Sequence, residues 1–417
     1  MMQMRIVGML VVAAIGMLPT PGQSQESPSL TLSEAVTFAR DRNPDLLVAR
    51  QELEVSRGRL VKARYLSQFN PALGSEVNNR SRGEPGEHGN SVDFMVTLSQ
   101  ELEIAGQRRK RIEEAERNLA VVTQRVQDRE RLILAQVKES FYRALALRRR
   151  FDLFRQVEDL ARRLRDVAAR RFQAGEVSKL EVNLAEIQLG QTRRDTLIAE
   201  RDYRNTLREL ERLVGQEPRG TVVLTGQLTV IPQSFDEQTL LHIALDKRPD
   251  LRAARAELGR IDAEMALTHR LIVPNPTVGF VYREEERRDR LAGVELRVPL
   301  PVFDHKQAEL VQLTGRKDQA GYEQQSIELQ IRQEVGEALR AYNTAKAEVE
   351  VYEQAVLERA TENFQLIEVA YREGQINLLQ LVVVQNNLIT AQLSYIDALN
   401  TYWQARTALE RATGTEL

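Results

Sequence analysis

Two long stretches of this chain contain no proline. All 13 prolines lie outside residues 86–217 and 302–417, and both stretches are rich in Ala, Leu, Val, Glu, Arg and Gln. Proline breaks a helix interior, whereas those six residues are good or tolerated helix formers. From Leu102 to Phe172 the pattern stays helical for about 70 residues, roughly 100 Å of rod at 1.5 Å per residue. A rod of that length cannot fold back on itself into a ball. Gly175 and Gly374 supply the turns, so each rod becomes an antiparallel helical hairpin with its tip at 172–178 or 371–377. Aromatic residues are scarce at 5%, with one tryptophan, Trp403, which suits helical rods better than a large globular core.

The chain is also written twice. Asn43-Pro-Asp-Leu46 is echoed by Arg248-Pro-Asp-Leu251, 205 positions later, and Asn70-Pro71-Ala72-Leu73-Gly74 by Asn275-Pro276-Thr277-Val278-Gly279. Towards the tips the offset drops to about 199, where Phe172-Gln-Ala-Gly-Glu-Val-Ser178 lies on Tyr371-Arg-Glu-Gly-Gln-Ile-Asn377. Ordered matches with small drifts in offset mark a duplication. The expected organisation is a first repeat over 30–216 (helix, β-hairpin about 71–100, helical hairpin about 102–214), a linker at 217–233, and a second repeat over 234–415 (helix, β-hairpin about 276–300, helical hairpin about 304–413). Capping boxes are expected at Thr31/Glu34 and Ser234/Glu237. Pro44 and Pro249 split each opening helix into a short and a longer piece. Asp304 and Gln307 read as the N-cap and N3 residues of the last hairpin. Residues 1–24 read as a secretory signal: Arg5, an apolar run Ile6–Leu18 too short to span a bilayer well, then Pro19, Pro21 and Gly22. A membrane anchor is the alternative. Beyond residue 25 no apolar stretch approaches the ~20 residues of a membrane-spanning helix.

Between the opening helix and the rod, each half changes period. Val92, Phe94, Val96 and Leu98 alternate with mostly polar residues, as do Val294, Leu296 and Val298. Their partners are Leu73, Ser75 and Val77 in one half and Val278, Phe280 and Tyr282 in the other, across the links Arg82–Asn90 and Glu284–Arg290. Each half therefore carries a hairpin of strands about 9–11 residues long, the length a membrane barrel strand needs. Four strands cannot close a barrel, and open edges are not tolerated in lipid. If these strands enter a membrane, several chains must pool them. A soluble periplasmic coiled-coil protein with two small hairpins is the alternative.

Composition removes other classes. A formal net charge of −2 gives no reason to expect a nucleic-acid partner. The chain has no cysteine, hence no disulfide framework, thiolate site or cysteine nucleophile, and its four histidines (88, 242, 269 and 305) are scattered. Glu87-His88 and Asp304-His305 are poor metal pairs. No nucleophile–base constellation or phosphate loop is present, so neither enzymatic activity nor a cofactor or metal is expected.

The order of elements, with Leu98-Ser-Gln-Glu-Leu-Glu-Ile-Ala-Gly-Gln-Arg-Arg109, Val298-Pro-Leu-Pro-Val-Phe-Asp-His305 and the tip Phe172–Ser178, resembles the TolC-type outer membrane factors, and within them the CzcC-like cobalt–zinc–cadmium branch. The resemblance covers about 30–415. It implies a mainly α fold with a small β part. Long helical hairpins of a homotrimer would form a tunnel, and four strands per chain would form a shared twelve-stranded transmembrane barrel in the outer membrane of a Gram-negative cell. It implies a passive, gated efflux conduit for heavy-metal cations, working with a periplasmic adaptor and an inner-membrane pump of the resistance–nodulation–division type; multidrug or type I secretion export are alternatives. The tip residues Gly175, Glu176, Val177, Ser178, Gly374, Gln375, Ile376 and Asn377 would dock the adaptor. Glu181 and Gln380 would line the tunnel mouth, where some relatives carry aspartate rings; with Gln380 and Val383 after Gly374, and Glu181 and Leu184 after Gly175, that pattern is weakened here.

Overall fold

The computed structural model describes residues 29–81, 90–218, 220, 222–285 and 289–417. The signal segment 1–24, the Glu87-His88 pair and most of the Arg82–Asn90 link lie outside the described residues. The chain opens with a two-residue strand, β1 (Ser29–Leu30), and helices α1 (Leu32–Arg42) and α2 (Pro44–Ala63). Strands β2 (Ala72–Ser81) and β3 (Asn90–Glu101) lead into the 67-residue α3 (Gln107–Gln173) and its return helix α4 (Lys179–Leu213). β4 (Val223–Leu224) pairs in parallel with β1. The order then recurs as α5 (Glu237–Lys247), α6 (Pro249–Leu271), β5 (Thr277–Glu285), β6 (Asp289–Arg297) and α7 (Gln307–Val351). A π-helical turn (Tyr352–Val356) links α7 to α8 (Leu357–Arg372), and α9 (Leu378–Thr413) returns. The protein is mainly helical with few strands. None of the described helices is long and apolar enough to cross a membrane.

Local chemistry sets the helix boundaries. At α1 the Glu34 amide donates to Thr31 Oγ1 and the Thr31 amide to Glu34 Oε2, a full capping box. Asn43 caps α2 by accepting from the Leu46 amide at 3.1 Å, with Pro44 in the first helical position. The expected box at Ser234/Glu237 does not form. Asp236 stands directly before α5 and accepts from both the Thr239 amide and its hydroxyl at 2.8 Å, so the carboxylate nearer the helix takes the role. Asp304 is likewise not the cap of α7. That helix begins after Lys306, which is left-handed at φ 62°, and Asp304 Oδ1 accepts from the Lys306 amide at 2.8 Å to hold the preceding turn.

The main core lies midway along the rods, where α1, α5, the middle of α3 and the later half of α7 meet the ends of α4 and α9. Tyr142 stacks on Trp403 with ring centroids 3.9 Å apart. Tyr342 and Tyr402 donate their hydroxyls to the Gln233 and Ile231 carbonyls, tying the linker onto the helices. Buried Arg248 is the polar pin of this region: it donates to Asp250, to Glu334 on α7 and to the Ala412 carbonyl on α9. Burial alone would raise the Asp250 carboxyl, but the hydrogen bonds and charge of Arg248 outweigh it and hold Asp250 below the ordinary aspartate value. A lowered folded pKa means the contribution is fully present above about pH 4 and is lost as pH falls through the folded value. Arg248→Ala leaves the partly buried Asp250 carboxylate with only the more distant Arg131, 3.9 Å away, and the Leu251 amide, and is expected to destabilise by about 3 kcal/mol. Thermal unfolding at pH 7 and at pH 3 checks this: the loss should be large at neutral pH and shrink in acid, and an equal loss at both pH values would contradict it.

Candidate functional site: an apolar sheet face and two helical tips

The two β-hairpins join into one antiparallel sheet in the order β2-β3-β5-β6. Register aligns the period-two pattern across all four strands. Leu73 faces Leu98, Leu98 faces Phe280 and Phe280 faces Val294. This row of four is 75%, 51%, 52% and 78% exposed. Neighbouring rows on the same face run Gln100–Val278–Leu296 and Ser75–Val96–Tyr282–Ala292. The opposite face carries Gly74–Thr97–Val281–Gly293 and Glu76–Met95–Arg283–Leu291, which mix glycine, polar and charged residues with Val281, Met95 and Leu291. An apolar face this size, left open on a single chain, marks a surface that meets lipid or another chain. β2 and β6 each have one unpaired edge.

At the far end of the rods both tips close in the same way. Gly175 (φ 77°) and Gly374 (φ 73°) sit in the left-handed region, where a side chain would be strained. Glu176 donates its amide to the Arg171 carbonyl and Gly175 to Phe172; Gln375 and Gly374 repeat this with Ala370 and Tyr371. These are Schellman closures, which satisfy the last carbonyls of α3 and α8. Glu176, Ser178, Gln375 and Asn377 are exposed, whereas Val177 and Ile376 are half-buried. Asn377 forms a capping box with Gln380, so the Gln380 carboxamide is turned back to the start of α9. Ser178 makes no such side-chain cap, and Glu181 on the first turn of α4 is half-buried.

Sequence reasoning missed what joins the two tips. Ala168, Ala185, Tyr371, Leu378, Leu381 and Val382 form a small buried cluster, separate from the main core. Arg171 reaches across from α3, donates to Glu176 at 3.2 Å, and lies 5.8 Å above the Tyr371 ring. Burial raises the Tyr371 phenol above its ordinary value, and Arg171 opposes that rise. The only signal for this pair was that Phe172 and Tyr371 are matching aromatics beside the turns. Among the described residues no group of acidic, histidine or cysteine side chains has metal-holding geometry.

Residues 36–216 and 240–415 match the outer membrane efflux protein family. The chain belongs to this family. It is 26% identical over 386 residues to the cobalt-zinc-cadmium resistance protein CzcC of Cupriavidus metallidurans, covering 92% of this chain and 90% of that protein. Its fold is shared with the CmeC outer membrane channel of Campylobacter jejuni, at a TM-score of 0.77 and 16% identity over 92% of this chain and 85% of CmeC. The open state of the Neisseria gonorrhoeae MtrE outer membrane channel superposes at a TM-score of 0.74, with 18% identity over 95% of this chain and 94% of MtrE.

Since the tip cluster is small and separate from the main core, local opening there is expected without global unfolding. Leu381→Ala removes a fully buried side chain there, at a local cost of about 2–5 kcal/mol. Amide exchange should accelerate over 164–185 and 364–382 while the main thermal transition stays in place. Unchanged exchange at the tips would contradict this account.

Proposed function

We propose that three copies of this chain assemble into a passive outer-membrane channel that carries heavy-metal cations out of a Gram-negative cell. The observation that carries the reading is the exposed Leu73–Leu98–Phe280–Val294 row on a sheet with two open edges. Three copies would contribute twelve strands, enough to close a barrel whose apolar face meets lipid. The rods, about 100 Å long for the 67 residues of α3, would then form a tunnel through the periplasm. The tip residues Gly175, Glu176, Val177, Ser178, Gly374, Gln375, Ile376 and Asn377 stand at the tunnel's inner end. There they would dock a periplasmic adaptor coupled to an inner-membrane pump of the resistance–nodulation–division type. Glu181 would face the mouth; Gln380, engaged in its capping box, contributes less. The metal cargo rests on the likeness to CzcC, a cobalt-zinc-cadmium resistance protein.

A deletion strain, complemented in turn with the wild-type, Phe280→Arg and Val281→Arg chains, tests both parts. The deletion should sensitise cells to cobalt, zinc and cadmium but not to organic drugs or detergents. Wild type and Val281→Arg should restore resistance. Phe280→Arg places a charge in lipid at about 2–4 kcal/mol per chain and should fail to restore it. Sensitivity to organic compounds alone would replace the metal cargo with multidrug export. Equal complementation by both arginine variants would favour a soluble periplasmic protein.

A further inference from the structure

The joint between the two halves of one chain has a counterpart that the single chain leaves empty. In the first half, α3 starts after left-handed Gly106, and Gln107 folds back to accept from the Ala105 amide at 2.7 Å. Its buried carboxamide then donates across the molecule to the Val273 carbonyl at 3.3 Å and Asn275 Oδ1 at 3.1 Å, between α6 and β5. The Leu102 amide donates to the Pro276 carbonyl beside it, and the β3–β5 ladder continues from there.

The same device is built 200 positions later. Lys306 is left-handed, the Gln307 carboxamide accepts from the His305 amide at 2.6 Å, and α7 begins. Here, however, Gln307 is exposed, and its Nε2 turns back to the Phe303 carbonyl of its own turn. The surface that would match Val273 and Asn275, at the repeat offset of 205, is Gln68 and Asn70 between α2 and β2. Asn70 is exposed on the other flank of the same sheet. Each side also bears an exposed apolar patch: Leu300, Val302 and Phe303 next to Gln307, and Leu66, Phe69 and Leu73 next to Asn70. One chain cannot bring these flanks together, because β3 and β5 stand between β2 and β6. A second copy can.

We infer that Gln307 of one copy reaches the next copy's Gln68 carbonyl and Asn70 side chain, repeating between chains the joint that Gln107 makes within one. This rests on the ring assembly proposed above and names its contact. The seam is heterologous, which excludes a two-fold pair and makes a ring where the rotation between copies closes. It differs from the internal joint in one respect. Asn275 also donates to Glu101 at 2.9 Å, whereas the position matching Glu101 is Pro301, so that bond is not repeated.

The chain has no cysteine, which makes the contact readable by thiol cross-linking. The double variant Asn70→Cys/Gln307→Cys, treated in membranes with a short bis-maleimide, should give a ladder of covalent dimer and trimer. Gln107→Cys/Asn275→Cys should link within one chain and give no ladder. Neither Asn70→Cys nor Gln307→Cys alone should cross-link; a covalent dimer from either single variant would mean a two-fold contact and overturn the inference. An oligomer intact on native gels, with the internal control linked and no ladder from the seam pair, would overturn the seam and leave the ring standing. Only monomers on native gels would overturn both. If the double variant does not accumulate, Gln307→Ala decides: its oligomer should dissociate at a lower temperature than wild type, and unchanged dissociation overturns the inference.

Discussion

The backbone of β2 and β6 governs what this molecule can be. Each presents a row of unpaired amide and carbonyl groups along one edge, next to an exposed apolar face. In water such an edge invites pairing with another chain. In hydrocarbon it is prohibitive, because each unsatisfied backbone group costs several kcal/mol. An apolar face directed to lipid and two open edges are compatible only if the edges are paired by other copies. The strand lengths, the alternation of side chains and the register between the halves are those that the proposed closure would need.

The helical part follows from the same repeat. Rods of this length have little core of their own, so the molecule concentrates its packing at separate levels. The main cluster, with its Tyr142–Trp403 stack and the Arg248 pin, fixes the rods to one another midway along their length. The Arg171–Tyr371 cluster holds the two tips together at the end. Between them lies the π-helical turn at Tyr352–Val356, where the second rod departs from the unbroken helix of the first. Fewer side chains hold the tips than fill the main core.

Much of this was legible in the sequence, and for identifiable reasons. Period-two alternation and proline placement report on local backbone, so the strands and the long helical runs could be read directly. Gly175 and Gly374 were readable as turns because few other residues adopt the left-handed conformation without strain. The misses occurred where tertiary geometry chose among local options. Ser234 offered a plausible capping box, but Asp236 stood two residues closer to α5. Lys306 adopts a left-handed conformation that a lysine does not advertise, which displaced Asp304 from the cap of α7. The Arg171–Tyr371 pair joins residues 200 positions apart, and no local pattern encodes that distance. The Asn377–Gln380 capping box at the start of α9 was likewise not singled out from the sequence.

The central claim is that both edges of the sheet are paired in the assembled protein. Hydrogen exchange on the protein reconstituted in lipid measures this directly, strand by strand. The account predicts that the amides of β2 and β6 are as strongly protected as those of β3 and β5, which are paired on both sides within the chain. Rapid exchange along either edge strand, with the central strands protected, would show an open sheet and contradict it.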